Sequence, residues 1–214
     1  MKVLIIGSTG VTGKLITERF LHLPSVKKVT SISRRSLEYS HPKLNEIIHP
    51  KMNLEHIENI SDSADHYICC LGSTIKQAGS RKNFTFVDKD MVVSFGKNAL
   101  KNQAKSFHVI SAMGSNPNSM FFYNRVKGEM EDSLKALGLN SLYIYRPSLL
   151  VSDRKEFRPA EKVAISALRL MSPLLPKKTK KKMGTKVTDL AKAIVNNVLS
   201  DERVQLKIIK AMDI

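Results

Sequence analysis

KVLIIGSTGVTGKLITERF, residues 2 to 20, decides the fold. Val3, Leu4, Ile5 and Ile6 form an unbroken apolar run without polar alternation, as expected for a strand buried on both faces of a parallel sheet. Apolar residues at 11, 15, 16, 20 and 23 then recur at helical spacing, and the helix stops before Pro24. Between strand and helix lie Gly7, Gly10 and Gly13, a G-x-x-G-x-x-G turn. Glycine permits a tight turn and close approach of backbone to a pyrophosphate, which rests against the positive end of the helix. Ser8, Thr9 and Thr12 add hydroxyl donors for phosphate oxygens, and Val11 completes the ligand-facing turn.

Outward from this unit, strands are expected at residues 28 to 33, 46 to 49, 66 to 72, 106 to 111, 141 to 145 and 205 to 211. Helices are expected at 85 to 102, 120 to 137, 161 to 170 and 188 to 199. The alternation predicts βαβ units, hence an α/β fold with a doubly wound parallel sheet. No repeat or linker divides the chain, so one domain is expected over residues 1 to 214, with a core of 1 to 150 and a small substrate-side segment at 151 to 214.

Composition narrows the classes. Hydrophobic residues make up 42% of 214, too many for a disordered chain. No apolar run is long enough for a bilayer, and the N-terminus reads as a strand, not a signal peptide. Cys69 and Cys70 are adjacent and poorly placed for a mutual disulfide, which suggests reduced thiols in a cytoplasmic protein. Thirty-five basic residues against 19 acidic ones give a net charge of +16, which favours anionic ligands. The run Lys177, Lys178, Lys180, Lys181 and Lys182 has no interleaved aromatics and reads as a solvated face, so nucleic-acid or membrane binding is not expected. The six histidines are scattered and no metal site is expected.

The second strand ends SISRRS, without the Asp or Glu that would hold an NAD ribose. Arg34 and Arg35 instead offer guanidinium donors to a 2′-phosphate, so NADP(H) is preferred over NAD(H). Ser111 follows the strand at 106, twelve residues before Tyr123, which shares a helical face with Lys127. In that arrangement Lys127 lowers the pKa of Tyr123, the proton donor-acceptor, and Ser111 hydrogen-bonds a substrate carbonyl.

These motifs, in this order, resemble the short-chain dehydrogenase/reductase superfamily. More narrowly, CLGSTIKQAGS (70 to 80), FVDKDMV (86 to 92), FFYNRVKGEME (121 to 131) and YRPSLLVSDRKEFRP (145 to 159) resemble the HIV Tat-interacting protein family of atypical members. The resemblance spans residues 1 to at least 196. It implies a Rossmann-type fold that binds NADPH, with Leu71, Gly72 and Thr74 along the cofactor and Tyr123 and Lys127 also touching it. Pro147, Ser148, Leu149 and Leu150 close over the nicotinamide end, and Arg158 faces the substrate region. The implied activity is hydride transfer between NADPH and a small carbonyl compound. Mammalian relatives are discussed as regulatory proteins that bind transport and transcription factors, so the alternative is an NADPH-binding regulatory or scaffold protein with protein partners. Two departures stand out: Asp88 occupies the place of a superfamily Asn, and Ala160 replaces a Gly after the Arg-Pro pair.

Overall fold

The computed structural model describes residues 1–151, 184–200 and 202–214. In chain order, β1 (Lys2–Ile6) leads into α1 (Val11–Leu21), then β2 (Lys28–Ser33), β3 (Leu44–Ile48) and α2 (Leu54–Glu58). β4 (His66–Cys69) is followed by α3 (Ile75–Ala78), α4 (Arg81–Thr85), a π-turn (Phe86–Asp90) and α5 (Met91–Lys101). β5 (Ser106–Ile110), α6 (Phe122–Ala136), β6 (Leu142–Arg146) and β7 (Leu149–Val151) precede β8 (Gly184–Lys186), α7 (Val187–Leu199) and β9 (Leu206–Lys210). The expected helix at 161 to 170, the lysine run, Arg158 and Ala160 lie outside the described residues.

The main sheet is parallel throughout, in the order β3-β2-β1-β4-β5-β6-β9, and β7 and β8 form a separate two-stranded ladder. The direction of strand order reverses between β1 and β4, the place where ligands bind in open α/β sheets. The apolar run of β1 shows why the sheet has two covered faces. Leu4 and Ile6 pack with Val92 and Phe95 of α5 and Met130 and Leu134 of α6. Val3 and Ile5 pack on the opposite face with Ile16 and Phe20 of α1 and Leu190 and Ile194 of α7. Each such fully buried side chain contributes about 1.5–3 kcal/mol.

The boundaries depart from expectation in three places. β4 ends at Cys69 rather than at 72, because Leu71, Gly72 and Ser73 turn outward to form a cleft wall. The long helix begins at Arg81 and carries the π-turn, which admits an extra residue into the helical ladder. β3 starts earlier, at Leu44. Among the described residues, no helix is long and apolar enough to cross a membrane.

On the α1/α7 face a polar chain crosses three strands. His66 Nδ1 lies 2.8 Å from Ser106 Oγ, which lies 2.8 Å from His108 Nε2, and His108 Nδ1 is 3.1 Å from Tyr145 Oη. His108 stacks on Tyr143 with ring centroids 4.4 Å apart. Burial, and then His66, hold His108 well below the ordinary histidine value. The folded protein therefore keeps His108 neutral while the unfolded chain takes up a proton below about pH 6.5. Stability from this group is complete above that pH and falls as pH drops toward the folded-state value, by up to about 1.4 kcal/mol per pH unit. Denaturant unfolding across this window should show that slope, and His108→Gln should flatten it. An equally steep slope in the variant would remove His108 as its source.

Candidate active site

The glycine turn is built by backbone contact. Gly7 has φ +80° and a Cβ there would sit 2.7 Å from the Cys70 carbonyl carbon. A Cβ on Gly13 would lie 2.3 Å from Gly7 O, so the helix can approach the strand only as glycine. Gly10 is less confined and opens onto a cleft of about 600 Å³. Gly10 caps α1 without any side-chain hydrogen bond, so the first-turn amides remain free of a side-chain acceptor, as an anion site requires.

Of the residues expected along a cofactor, Gly7, Thr9, Gly10, Arg34, Arg35, Leu71 and Gly72 line this cleft. Arg34 and Arg35 are exposed there and form no ion pair among the described residues. The size of the cleft, its uncapped helix terminus and its exposed guanidinium groups fit a nicotinamide dinucleotide.

Other expected residues are placed differently. Ser8 is buried with its hydroxyl 2.6 Å from Ser31 Oγ, so it supports the turn from beneath and does not reach the cleft. Thr74 caps α3, its Oγ1 accepting from Gln77 N at 3.1 Å. Val11, Thr12 and Gly13 form the start of α1 and are not among the residues that line the cleft, Val11 being exposed and Thr12 and Gly13 buried. Ser148 binds Thr185 Oγ1 through both its amide, 3.1 Å, and its hydroxyl, 3.0 Å, while Leu149 and Leu150 pair with β8. Pro147 O accepts from Met113 N at 2.8 Å, tying two loops at the carboxyl edge of the sheet.

Tyr123 and Lys127 stand one turn apart on α6 and are not among the residues that line this cleft. Lys127 is buried and its Nζ pairs with Asp88 Oδ1 at 2.8 Å, their side chains 4% and 1% exposed. Asp88 Oδ2 accepts from the Ser73 amide at 2.9 Å and its hydroxyl at 2.7 Å. Ser73 also lines the cleft, so a short polar chain joins cleft wall to Lys127. Burial draws the lysine down, but the charges of Asp88 and Tyr123 outweigh it and hold Lys127 above its ordinary value. Tyr123 is 36% exposed and its ring packs on Phe84 at 5.5 Å. Its phenol is also held above its ordinary value, by burial first, with Lys127 opposing and Asp88 adding. This corrects the expected lowering: burial outweighs the pull of the Lys127 ammonium, and the Asp88 charge adds to burial.

Ser111 is buried, and its hydroxyl donates to Glu131 Oε1 at 2.5 Å and lies 3.0 Å from Ser115 Oγ. Glu131 is in turn gripped by Arg146, Nε to Oε1 at 3.0 Å and Nη2 to Oε2 at 2.5 Å. The structure therefore unites Tyr123, Lys127 and Asp88, while Ser111 belongs to a neighbouring Glu131–Arg146 cluster. Sequence reasoning missed Glu131, although it lies one turn beyond Lys127 and three residues before Leu134 on one helix face, where a buried carboxylate needs a partner. Ser73 carried no comparable signal.

The β5–α6 loop is seated by two contacts. Asn124 Nδ2 donates to Gly114 O at 2.9 Å, and a Cβ on Gly128 would lie 2.2 Å from backbone atoms of Asn116 and Pro117. In an open helix Gly→Ala gains about 1 kcal/mol. Here the clash is with backbone and dominates, so Gly128→Ala should destabilise by about 1–3 kcal/mol in denaturant unfolding. A stabilised variant would show that the loop does not rest on α6.

No protein-family model matches the chain. Protein HTATIP2 of Rattus norvegicus is 30% identical over 211 residues, covering 97% of this chain and 85% of its own length. A short chain dehydrogenase family protein from Francisella tularensis superposes with a TM-score of 0.71 at 18% identity, over 99% of this chain and 98% of its own. The Bordetella bronchiseptica enzyme WbmH, solved in complex with NAD+, has a TM-score of 0.69 at 20% identity, over 91% of this chain and 71% of its own. The structural likenesses show the shared fold and the HTATIP2 identity shows the family: the chain belongs to the HTATIP2 family.

Proposed function

We propose that the protein is an NADPH-dependent reductase of small carbonyl compounds. The observation that carries this reading is the polar chain Ser73–Asp88–Lys127, which connects a dinucleotide-sized cleft ending in Arg34 and Arg35 to Lys127, one helical turn from the exposed Tyr123. In this reading the glycine turn and the uncapped start of α1 hold the pyrophosphate, and the two arginines hold the 2′-phosphate. Bound NADPH supplies hydride to the carbonyl carbon. Tyr123 Oη supplies the proton to the carbonyl oxygen, and Lys127 stabilises the phenolate left behind.

Ser111 favours a second reading. Its hydroxyl proton is donated to Glu131, which leaves the oxygen as an acceptor and not as the carbonyl's hydrogen-bond donor. A regulatory NADPH-binding protein with little turnover is compatible with that arrangement.

Oxidation of NADPH should be followed across aldehydes, ketones and quinones, beside Tyr123→Phe. Turnover that disappears in the variant while NADPH binding persists supports the reductase. A protein stabilised by NADPH, by about 2.7 kcal/mol at a hundredfold excess over Kd, yet inert on the whole panel, supports the regulatory reading. Replacing Arg34 and Arg35 together with Ala should cost at least about tenfold in NADPH affinity and little for NADH, since bonds to a charged phosphate contribute about 1.5–3 kcal/mol each. Equal losses for both dinucleotides in calorimetry would contradict the 2′-phosphate assignment.

A further inference from the structure

We propose that Arg81 and Arg125 form an anion-binding site beside Tyr123, so that the carbonyl substrate is an apolar compound carrying an anionic group such as a carboxylate. The proposal rests on the reductase reading and names its substrate class.

The site is assembled from α4 and the start of α6. Phe84 of α4 is fully buried, and the rings of Tyr123 and Phe122 both pack on it, with centroids 5.5 and 5.7 Å away. Asn83, its neighbour in α4, lines the dinucleotide cleft. One short helix thus borders the cofactor cleft and supports the ring of the candidate proton donor. Arg81, at the start of that helix, lies over the Phe122 ring at 5.1 Å from its centroid. Arg125 of α6 lies over the same ring at 5.8 Å. Two cations therefore share one ring next to Tyr123.

No carboxylate answers them. Among the described residues neither guanidinium forms an ion pair. Carboxylates of the neighbouring segments are committed to other cations: Asp88 to Lys127, Glu129 to Lys89 and Glu131 to Arg146. An aromatic face attracts a cation and so fixes its position, but it carries no net charge to cancel it. The fields of the two arginines add at that ring, and a bound anion relieves their mutual repulsion.

Their donors are open as well. A guanidinium carries five N–H groups. Arg125 gives Nη1 to Ser119 O at 2.9 Å, which seats it against the loop before α6, and its Nε and Nη2 have no protein acceptor among the described residues. Arg81 gives none of its side-chain donors to a described residue. Planar forks of this kind match a carboxylate and make charge-assisted bonds to it. Beside the charges the surface is apolar: Met120 is 96% and Phe121 73% exposed, on the turn where the Phe121 amide bonds Ser119 Oγ. Cations set among exposed apolar side chains select an acid with an apolar body over a neutral carbonyl of the same size.

The test compares para-acetylbenzoate with its methyl ester, two ketones of one shape that differ in charge. Binding is read by calorimetry at fixed ionic strength with NADP+ present, which has no hydride to give. The acid should bind at least about tenfold more tightly than the ester. Arg81→Gln/Arg125→Gln should remove most of that difference and leave ester binding as it was. Lys27→Gln/Lys51→Gln removes the same charge from two exposed positions on other loops and should preserve the difference. Acid and ester binding alike, or no measurable binding of the acid, overturns the proposal. So does an equal loss in the lysine variant, which would trace the preference to the net charge of +16 and not to this site. Arg81→Gln alone should lose part of the preference, and it decides the matter if loss of the Arg125 bond to Ser119 prevents folding. Turnover is read separately with NADPH. A protein that prefers the acid but reduces neither ketone sinks the reductase and leaves the anion site standing, while one that binds and reduces both alike does the reverse.

Discussion

A methyl group cannot be placed between the end of β1 and the start of α1. The Cβ it would introduce at position 13 falls 2.3 Å from Gly7 O, and at position 7 it falls 2.7 Å from the Cys70 carbonyl carbon. Strand, helix and the loop after β4 therefore meet backbone against backbone. The rest of the site follows from that approach. It leaves Gly10, the uncapped start of α1, lining the cleft, with Arg34 and Arg35 on the loop after β2 lining it too. It also brings the residues after Cys70 beside the turn, so that Leu71, Gly72 and Ser73 become a cleft wall and not a longer strand.

A second constraint acts on α6. Lys127 and Glu131 lie one turn apart on the helix face turned toward the sheet, and each is buried against an opposite charge, Asp88 and Arg146. Buried ion pairs contribute little net stability because desolvation offsets attraction, but loss of either partner leaves an uncompensated charge. Two such pairs on one face penalise any rotation of the helix about its axis. Tyr123, one turn before Lys127, is oriented by the same requirement. Both polar pairs sit at the edge of an otherwise apolar contact made by Met130 and Leu134. Packing sets how close the helix comes, and the charges set which way it faces.

Much of the fold was legible because its signals are local. A four-residue apolar run, three glycines at fixed spacing and a helical repeat are properties of neighbouring residues, and they specified β1, its turn and α1. The paired arginines were equally legible, since a strand end faces the cleft in this kind of sheet. The short α2 and α3 were not, because helices of five and four residues have too little periodicity to read and depend on caps such as Asn53 and Thr74. Hydroxyl groups were the least legible of all. Ser8, Thr74 and Ser111 were each expected to face a ligand, and each instead bonds a protein partner, because a hydroxyl turns toward whatever acceptor the surrounding fold brings near.

The sequence by itself determined that a parallel α/β sheet carries a glycine-rich turn, a basic strand end and a Tyr-x-x-x-Lys helix, since each follows from residue type at short range. Only the tertiary structure decided what Lys127 does there. Asp88 is 39 residues away in the chain and meets it at 2.8 Å through a π-turn that no periodicity announces. Electrostatic effects depend on distance and burial and not on order along the chain, so the sign of the shift at Tyr123 had to wait for the folded geometry.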